Sequence, residues 1–298
     1  MTELPDAAGR IVVGADLTST ADHAVDWAAD RAAARGLPLL VLMVGPDDEL
    51  PRHTLPHHLV STPESEAGLK ERVDARLAEL AQRVREAHPD LPAEVRVVDG
   101  KVTPVMRELS ETAAMVVLGS RGAAAPLSVR LLGGTSDSVA GQARCAVAII
   151  RSDGPAEFSG PVVVGIDDSP EAMAAVSFAV EEAVAMGTGL VGVHVWDSTP
   201  LLMAGSGLWG GDGGQVSANL EAMVDQIMAP FLAEHPDLPY RTMVLPGRAA
   251  AVLTDLSDEA SLVVIGSRHR NPFAGLLLST TSRGVPREAG CPVILVRP

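Results

Sequence analysis

Apolar positions in this chain cluster into short runs with little polar interruption, and these runs alternate with longer stretches of helical period. Residues 11–15, 37–44, 95–98, 115–118 and 146–150 are built mainly from Val, Leu, Ile, Met and Ala. Strands buried on both faces read this way, rather than as apolar and polar positions in alternation. Between the second and third runs, Thr62 and Pro63 open a segment in which Leu69, Val73, Leu77, Leu80 and Val84 follow one another at steps of four, four, three and four. That spacing lines one face of a helix. Residues 162–166, 190–196, 242–245, 262–265 and 293–296 repeat the strand series in the second half. Helix starts are expected at Ser19 with Asp22, and at Ser169, where Pro170 takes the first helical position.

The two series are copies of one another. Ile11-Val-Val-Gly-Ala-Asp16 corresponds to Val162-Val-Val-Gly-Ile-Asp167 at an offset of 151. His88-Pro-Asp-Leu-Pro92 recurs unchanged as His235-Pro-Asp-Leu-Pro239 at an offset of 147, which Gly119 and Gly266 share. Cys145 and Cys291 stand 146 apart, so half one carries one extra residue between Gly119 and Cys145. A period this long makes each half a domain rather than a solenoid unit. The expected organisation is a first domain over 1–151, a linker over 152–160 and a second domain over 161–298. Regular alternation of strand and helix predicts an α/β fold with a doubly wound parallel sheet in each half. Ligands of such sheets bind at the carboxyl ends of the strands, where the winding reverses. The residues after the first and fourth strands therefore carry the functional interest.

Composition narrows the classes. The 298 residues carry a formal net charge of −15 and only two lysines, Lys70 and Lys101, with no basic run. Such a surface repels nucleic acid. No apolar run reaches the length of a membrane span, and the first residues lack the basic and apolar regions of an export signal, so a cytoplasmic protein is expected. Two cysteines without a Cys-x-x-Cys pair suit a reducing compartment. Cys145 and Cys291 open the last strands at equivalent positions, where packing is the expected role.

After the fourth strand the chain reads Gly119-Ser-Arg-Gly122, and Gly133-Gly-Thr-Ser136 follows where the next helix starts. Small residues let backbone amides approach phosphate oxygens, and a helix start adds unpaired donors and partial positive charge. Turn and cap roles without a ligand fit the same residues. Asp16 and Asp167 end first strands, where a turn carboxylate is the competing reading. No Gly-x-x-x-x-Gly-Lys loop and no assignable catalytic set stands out, so dedicated catalysis is not expected.

These motifs, together with the closing Ala-Arg-Cys-Ala-Val and Ala-Gly-Cys-Pro-Val segments, resemble the universal stress protein family in tandem form over nearly the whole chain. The resemblance implies a five-stranded sheet of order 3-2-1-4-5 in each half and pairing of the two halves through their last strands, with further homodimerisation left open. It also implies ATP as ligand, with or without Mg²⁺, held by Gly-x-x-Gly, nine residues, then Gly-Ser or Gly-Thr. The residues it points to in half one are Asp16, Val44, Gly119, Gly122, Gly133, Gly134, Thr135 and Ser136. In half two they are Asp167, Val195, Gly266, His269, Ser279, Thr280 and Ser282. Both copies depart from the motif. Half one has ten residues before Gly133, and half two has His269 and Ser279 in place of glycines. The expected function is an ATP-binding stress-response regulator acting on an unidentified protein partner. A degenerate interaction protein and a weak ATPase are the alternatives.

Overall fold

The structure is a computed structural model and describes residues 4–17, 21–45, 63–120, 134–151, 158–196, 213–267 and 280–298. The chain divides into two compact units, Met1–Asp153 and Gly154–Pro298.

In unit 1 the order is β1 (Ile11–Ala15), α1 (Asp22–Arg35), β2 (Leu39–Gly45), α2 (Pro63–Ala87), β3 (Ala93–Asp99), α3 (Val102–Leu109), β4 (Met115–Ser120), α4 (Gly134–Gln142) and β5 (Ala146–Arg151). The strands pair in parallel in the order β3-β2-β1-β4-β5, with Val12 opposite Leu40 on one side and Val116 on the other. Unit 2 repeats the plan as β6 (Val162–Gly165), α5 (Pro170–Met186), β7 (Leu190–Trp196), α6 (Gly213–Ala233), β8 (Tyr240–Pro246), α7 (Ala249–Ser257), β9 (Leu262–Gly266), α8 (Thr280–Glu288) and β10 (Val293–Val296). Its strands run in parallel in the order β10-β9-β6-β7-β8. The α/β class and the 3-2-1-4-5 order expected from the resemblance are both present.

The central strands are the continuous apolar runs because both faces are covered: Ile11, Val12, Val13, Leu40, Val41, Val116 and Val117 are wholly buried. With aromatics at 3% of the chain, the packed helix faces are small. In α1 the buried positions include Ala24, Val25, Ala28 and Ala32. The outer strands β3 and β8 are longer at both ends than their apolar residues suggest, since an outer strand exposes much of its length; β3 leaves Val97 exposed. Strand β2 begins at Leu39 rather than 37, because the Leu37 amide is spent on the Ala32 carbonyl at the end of α1. Gly36 there adopts a left-handed conformation with φ of 62°, which closes the helix.

Ser169 caps α5 as its sequence predicts: its Oγ accepts from the Ala172 amide at 3.2 Å, with Pro170 following. Helix α1 has no side-chain cap at Ala21, and Ser19 lies outside the described residues. The repeated His-Pro-Asp-Leu-Pro segments turn α2 into β3 and α6 into β8. The Leu91 amide donates to His88 and the Leu238 amide to His235, both at 3.1 Å. Among the described residues no helix is long and apolar enough to cross a membrane.

Candidate functional site

A cavity of about 250 Å³ opens at the carboxyl ends of β1 and β4 in unit 1. Its apolar side is Leu42, Val44, Val102, Met106 and Leu118; its polar side includes Asp16, Gly119, Ser120, Thr135 and Ser136. Gly14 in β1 lies against Met106, and a Cβ there would stand 2.9 Å from Met106 Cε. The side chain of α3 therefore rests on the strand backbone and forms the cavity floor.

Ser136 in the first turn of α4 donates its hydroxyl hydrogen to the Gly119 carbonyl across 3.1 Å. This bond fixes the start of α4 against the end of β4. The hydroxyl hydrogen of Ser136 is thus directed at a main-chain acceptor. Thr135 lines the cavity and is exposed. The first amides of α4 have no partner within the helix, which leaves donors and partial positive charge at the same edge.

Arg76 of α2 reaches the rim. Its Nε donates to the Asp16 carbonyl at 3.4 Å, and its guanidinium pairs with Asp22 in the first turn of α1 and with Glu79. Burial works against the charge, but the hydrogen bonds to Glu79 and Asp22 outweigh it and hold the guanidinium above its ordinary pKa.

Unit 2 has a corresponding cavity of about 440 Å³. Gly165, Val193, Val195, Ala249, Leu253 and Ile265 stand where unit 1 has Gly14, Leu42, Val44, Val102, Met106 and Leu118. Asp167 and Glu171 both line it. Asp167 Oδ1 accepts from the Ser169 amide at 3.0 Å and from the Ser169 hydroxyl, so this carboxylate makes the turn into α5. Gly266 is sterically required: a Cβ would stand 2.6 Å from the main-chain carbon and oxygen of Glu171. His194, whose counterpart is Met43, donates from Nδ1 to the Ile166 carbonyl at 2.9 Å and ties the ends of β6 and β7.

The structure thus brings Asp16, Val44, Gly119, Thr135 and Ser136 to one cavity, and Asp167, Val195 and Gly266 to the other. Gly134 and Thr280 open α4 and α8. Ser282 repeats Ser136, donating to Gly266 at a longer 3.5 Å. Gly122, Gly133, His269 and Ser279 lie outside the described residues, as do Arg121, Arg130, Arg268, Arg270 and Trp209. Thr281, not singled out by the motif, lines the second cavity where Thr135 lines the first. The offset of 146 that aligns Cys145 with Cys291 points to it. Lys101 and Arg248, exposed residues before α3 and α7, each precede a cavity-lining residue; the offset of 147 pairs them as basic positions. Among the described residues no group of three or more His, Cys, Asp or Glu side chains is placed to hold a metal ion.

The sequence profile of the universal stress protein family matches residues 8–151 and 159–297. The chain belongs to the universal stress protein family. A universal stress protein of Mycobacterium tuberculosis H37Rv is 34% identical over 294 residues, covering 96% of each chain. One from Mycolicibacterium smegmatis is 29% identical and covers 97% of each. Among solved structures, a universal stress protein from Archaeoglobus fulgidus aligns over 98% of this chain and 97% of its own, with a TM-score of 0.71 at 19% identity. The family's model thus covers both halves of the chain, and each half carries a strand-end cavity.

Proposed function

We propose that this protein is a stress-response regulator that binds an adenine nucleotide, with ATP the favoured ligand and the unit 1 cleft the working site. One observation carries the reading: an apolar floor and a helix start meet at a single strand-end cavity, and the Ser136–Gly119 bond fixes the helix start in place. The floor of Leu42, Val44 and Met106 suits a planar base. The amides at the start of α4, the small residue Gly119 and the Thr135 hydroxyl suit phosphate oxygens, and the sequence adds Gly122 beyond the described residues. Asp16 is the carboxylate lining this cleft, and it is the group we assign to a Mg²⁺ that arrives with a triphosphate. Occupancy alters the surface offered to a protein partner in the cytoplasm.

The test is direct. Small molecules released from the purified protein are identified by mass spectrometry, and unfolding is followed during titration with Mg-ATP. Ligand at a hundred times its dissociation constant stabilises by about 2.7 kcal/mol. Gly122→Trp should abolish that gain, and an unaltered gain removes unit 1 as the site. A protein that carries no nucleotide and shows no stabilisation overturns the reading.

A further inference from the structure

Strand β3 closes one side of the unit 1 sheet: among the described residues it pairs with β2 and with no other strand. We infer that this edge docks a second copy of the chain, strand against strand in antiparallel sense, about a two-fold axis at Val95. The inference does not rest on the nucleotide reading.

The backbone decides which registers are open. The Leu39 amide donates to the Pro92 carbonyl at 2.9 Å, so Pro92, and by the strand period Glu94, Arg96 and Val98, turn their main-chain groups toward β2. Ala93, Val95 and Val97 turn theirs outward, a row of donors and acceptors of the kind that templates a further strand. In an antiparallel pair centred on Val95, the two Val95 residues exchange both backbone bonds. Glu94 then falls in the closer, non-hydrogen-bonded position directly opposite Arg96 of the second copy. Two-fold symmetry makes that contact twice.

The side chains agree with this register. Charges on an edge strand ordinarily keep other strands away. Here they are of opposite sign, and each faces the other sign across the pair, the favourable cross-strand arrangement. Glu94 receives hydrogen bonds from Arg96 and Arg10 of its own chain, so one acid stands among two bases. Arg96 is 62% exposed, and its guanidinium has further N–H donors for the Glu94 of the second copy. A chain with a formal net charge of −15 repels its copy at acidic surfaces, and this cluster is not one of them. On the other face of the strand the same register lays Val97 against Ala93 and Val95 against Val95. Val97 is 39% exposed, an apolar residue left uncovered by its own unit.

Unit 2 supplies the contrast. Its outer strand β8 has Arg241 and Met243 at the positions of Glu94 and Arg96, so it lacks the self-complementary pair. Strand β3 against β8 of a second copy, in the matching register, sets Arg96 opposite Arg241, and like charges there repel. The edge of unit 1 therefore selects itself, and the assembly closes as a dimer.

Sedimentation velocity of the full chain over a concentration series is the test, and the parent should form a dimer. Val95→Pro deletes an outward N–H without touching the ladder to β2, a change an edge strand tolerates. It should weaken association by roughly tenfold or more. Thr242→Pro, the same change on β8, should leave association unaltered. Arg96→Glu and Glu94→Arg each set like charges opposite one another and should each sediment as a monomer. Mixed in equal amounts, those two variants should recover a dimer, because every Glu then faces an Arg. Circular dichroism verifies that each variant is folded. A monomeric parent, a dimer that Val95→Pro leaves intact or Thr242→Pro dissociates, or folded charge variants that fail to recombine on mixing overturns the inference.

Discussion

Ser136 donates to the Gly119 carbonyl across 3.1 Å, so the first turn of α4 is fastened to the last turn-out of β4 by a single hydroxyl. Ser136 is 7% exposed, and its partner is a main-chain acceptor at the edge of the cavity. Ser136→Ala should lower unfolding stability by about 1 kcal/mol, the usual worth of such a bond. It should also weaken Mg-ATP binding beyond what that loss of stability explains, because the α4 amides lose their fixed aim. Urea unfolding with and without nucleotide separates the two effects. Lost stability with unchanged affinity would show that the bond holds the fold and not the site.

Helices α1 and α2 are joined by ion pairs of very different depth. Arg76 and Asp22 are 9% and 14% exposed, whereas Arg83 and Asp26 are 43% and 40% exposed. Arg83→Ala should therefore cost about 0.5 kcal/mol, in the range of surface pairs. Arg76→Met strands the Asp22 carboxylate in a nearly dry setting and should cost about 3 kcal/mol. Methionine is chosen because Met223 holds the equivalent position in half two. Chemical denaturation of both variants decides the order, and equal losses would contradict the burial argument.

The central strands were readable because a parallel sheet covered on both faces turns each strand into an apolar run, and β1, β4, β6 and β9 stand where those runs fall. The outer strands β3 and β8 extend beyond the expected runs because half-buried Glu94 and exposed Arg241 interrupt the apolar pattern at their starts. Strand-end residues such as Asp16 and Gly119 could be found because topology dictates where a cleft opens. Val102, Met106, Ala249 and Leu253 could not, since an apolar residue on a helix reads as core until the floor it forms is seen. Thr281 was hidden by motif spacing, which points to 279 and 280. The commitment of Ser136 to a carbonyl is invisible to any pattern, because a serine at a helix start serves a ligand and a strand equally well.

The two cysteines occupy equivalent strand starts but differ in reactivity. Cys291 is 2% exposed, and burial pushes its thiol up to about 12, while Cys145 is half-buried. The reactive species is the thiolate. Iodoacetamide at pH 8 should therefore label Cys145 in the native protein and reach Cys291 only in denaturant, as intact-mass measurement reports. Prompt labelling of both in the native protein would mean that the start of β10 opens.

Glu94 at the start of β3 receives hydrogen bonds from Arg96 and from Arg10, the latter at 2.6 Å. These bonds, to Arg96 first and Arg10 second, hold its carboxyl below the usual range. A depressed carboxyl contributes stability above its unfolded pKa, and that contribution is lost as pH falls through the folded value. The side chain is 31% exposed, which limits the gain to less than about 1 kcal/mol. Glu94→Gln should thus be slightly less stable than the parent at pH 7, and the gap should close below about pH 4. A gap that persists at low pH would assign the loss to packing rather than to charge.

Two glycines at the clefts are required for different reasons, and alanine distinguishes them. At Gly14 a Cβ would meet the terminal methyl of Met106 at 2.9 Å, and a methionine end can swing aside. Gly14→Ala should fold with a loss of about 1 kcal/mol. It should still weaken nucleotide binding, because the displaced methyl moves into the cavity that Met106 lines. At Gly266 the Cβ would stand 2.6 Å from the Glu171 carbonyl carbon and oxygen, which cannot yield without shifting the first turn of α5. Gly266→Ala should cost about 3 kcal/mol, the upper end of overpacking penalties. Thermal unfolding ranks the two variants, and nucleotide titration of Gly14→Ala tests the floor. An undisturbed affinity in a folded Gly14→Ala protein would mean that Met106 is not where the base rests.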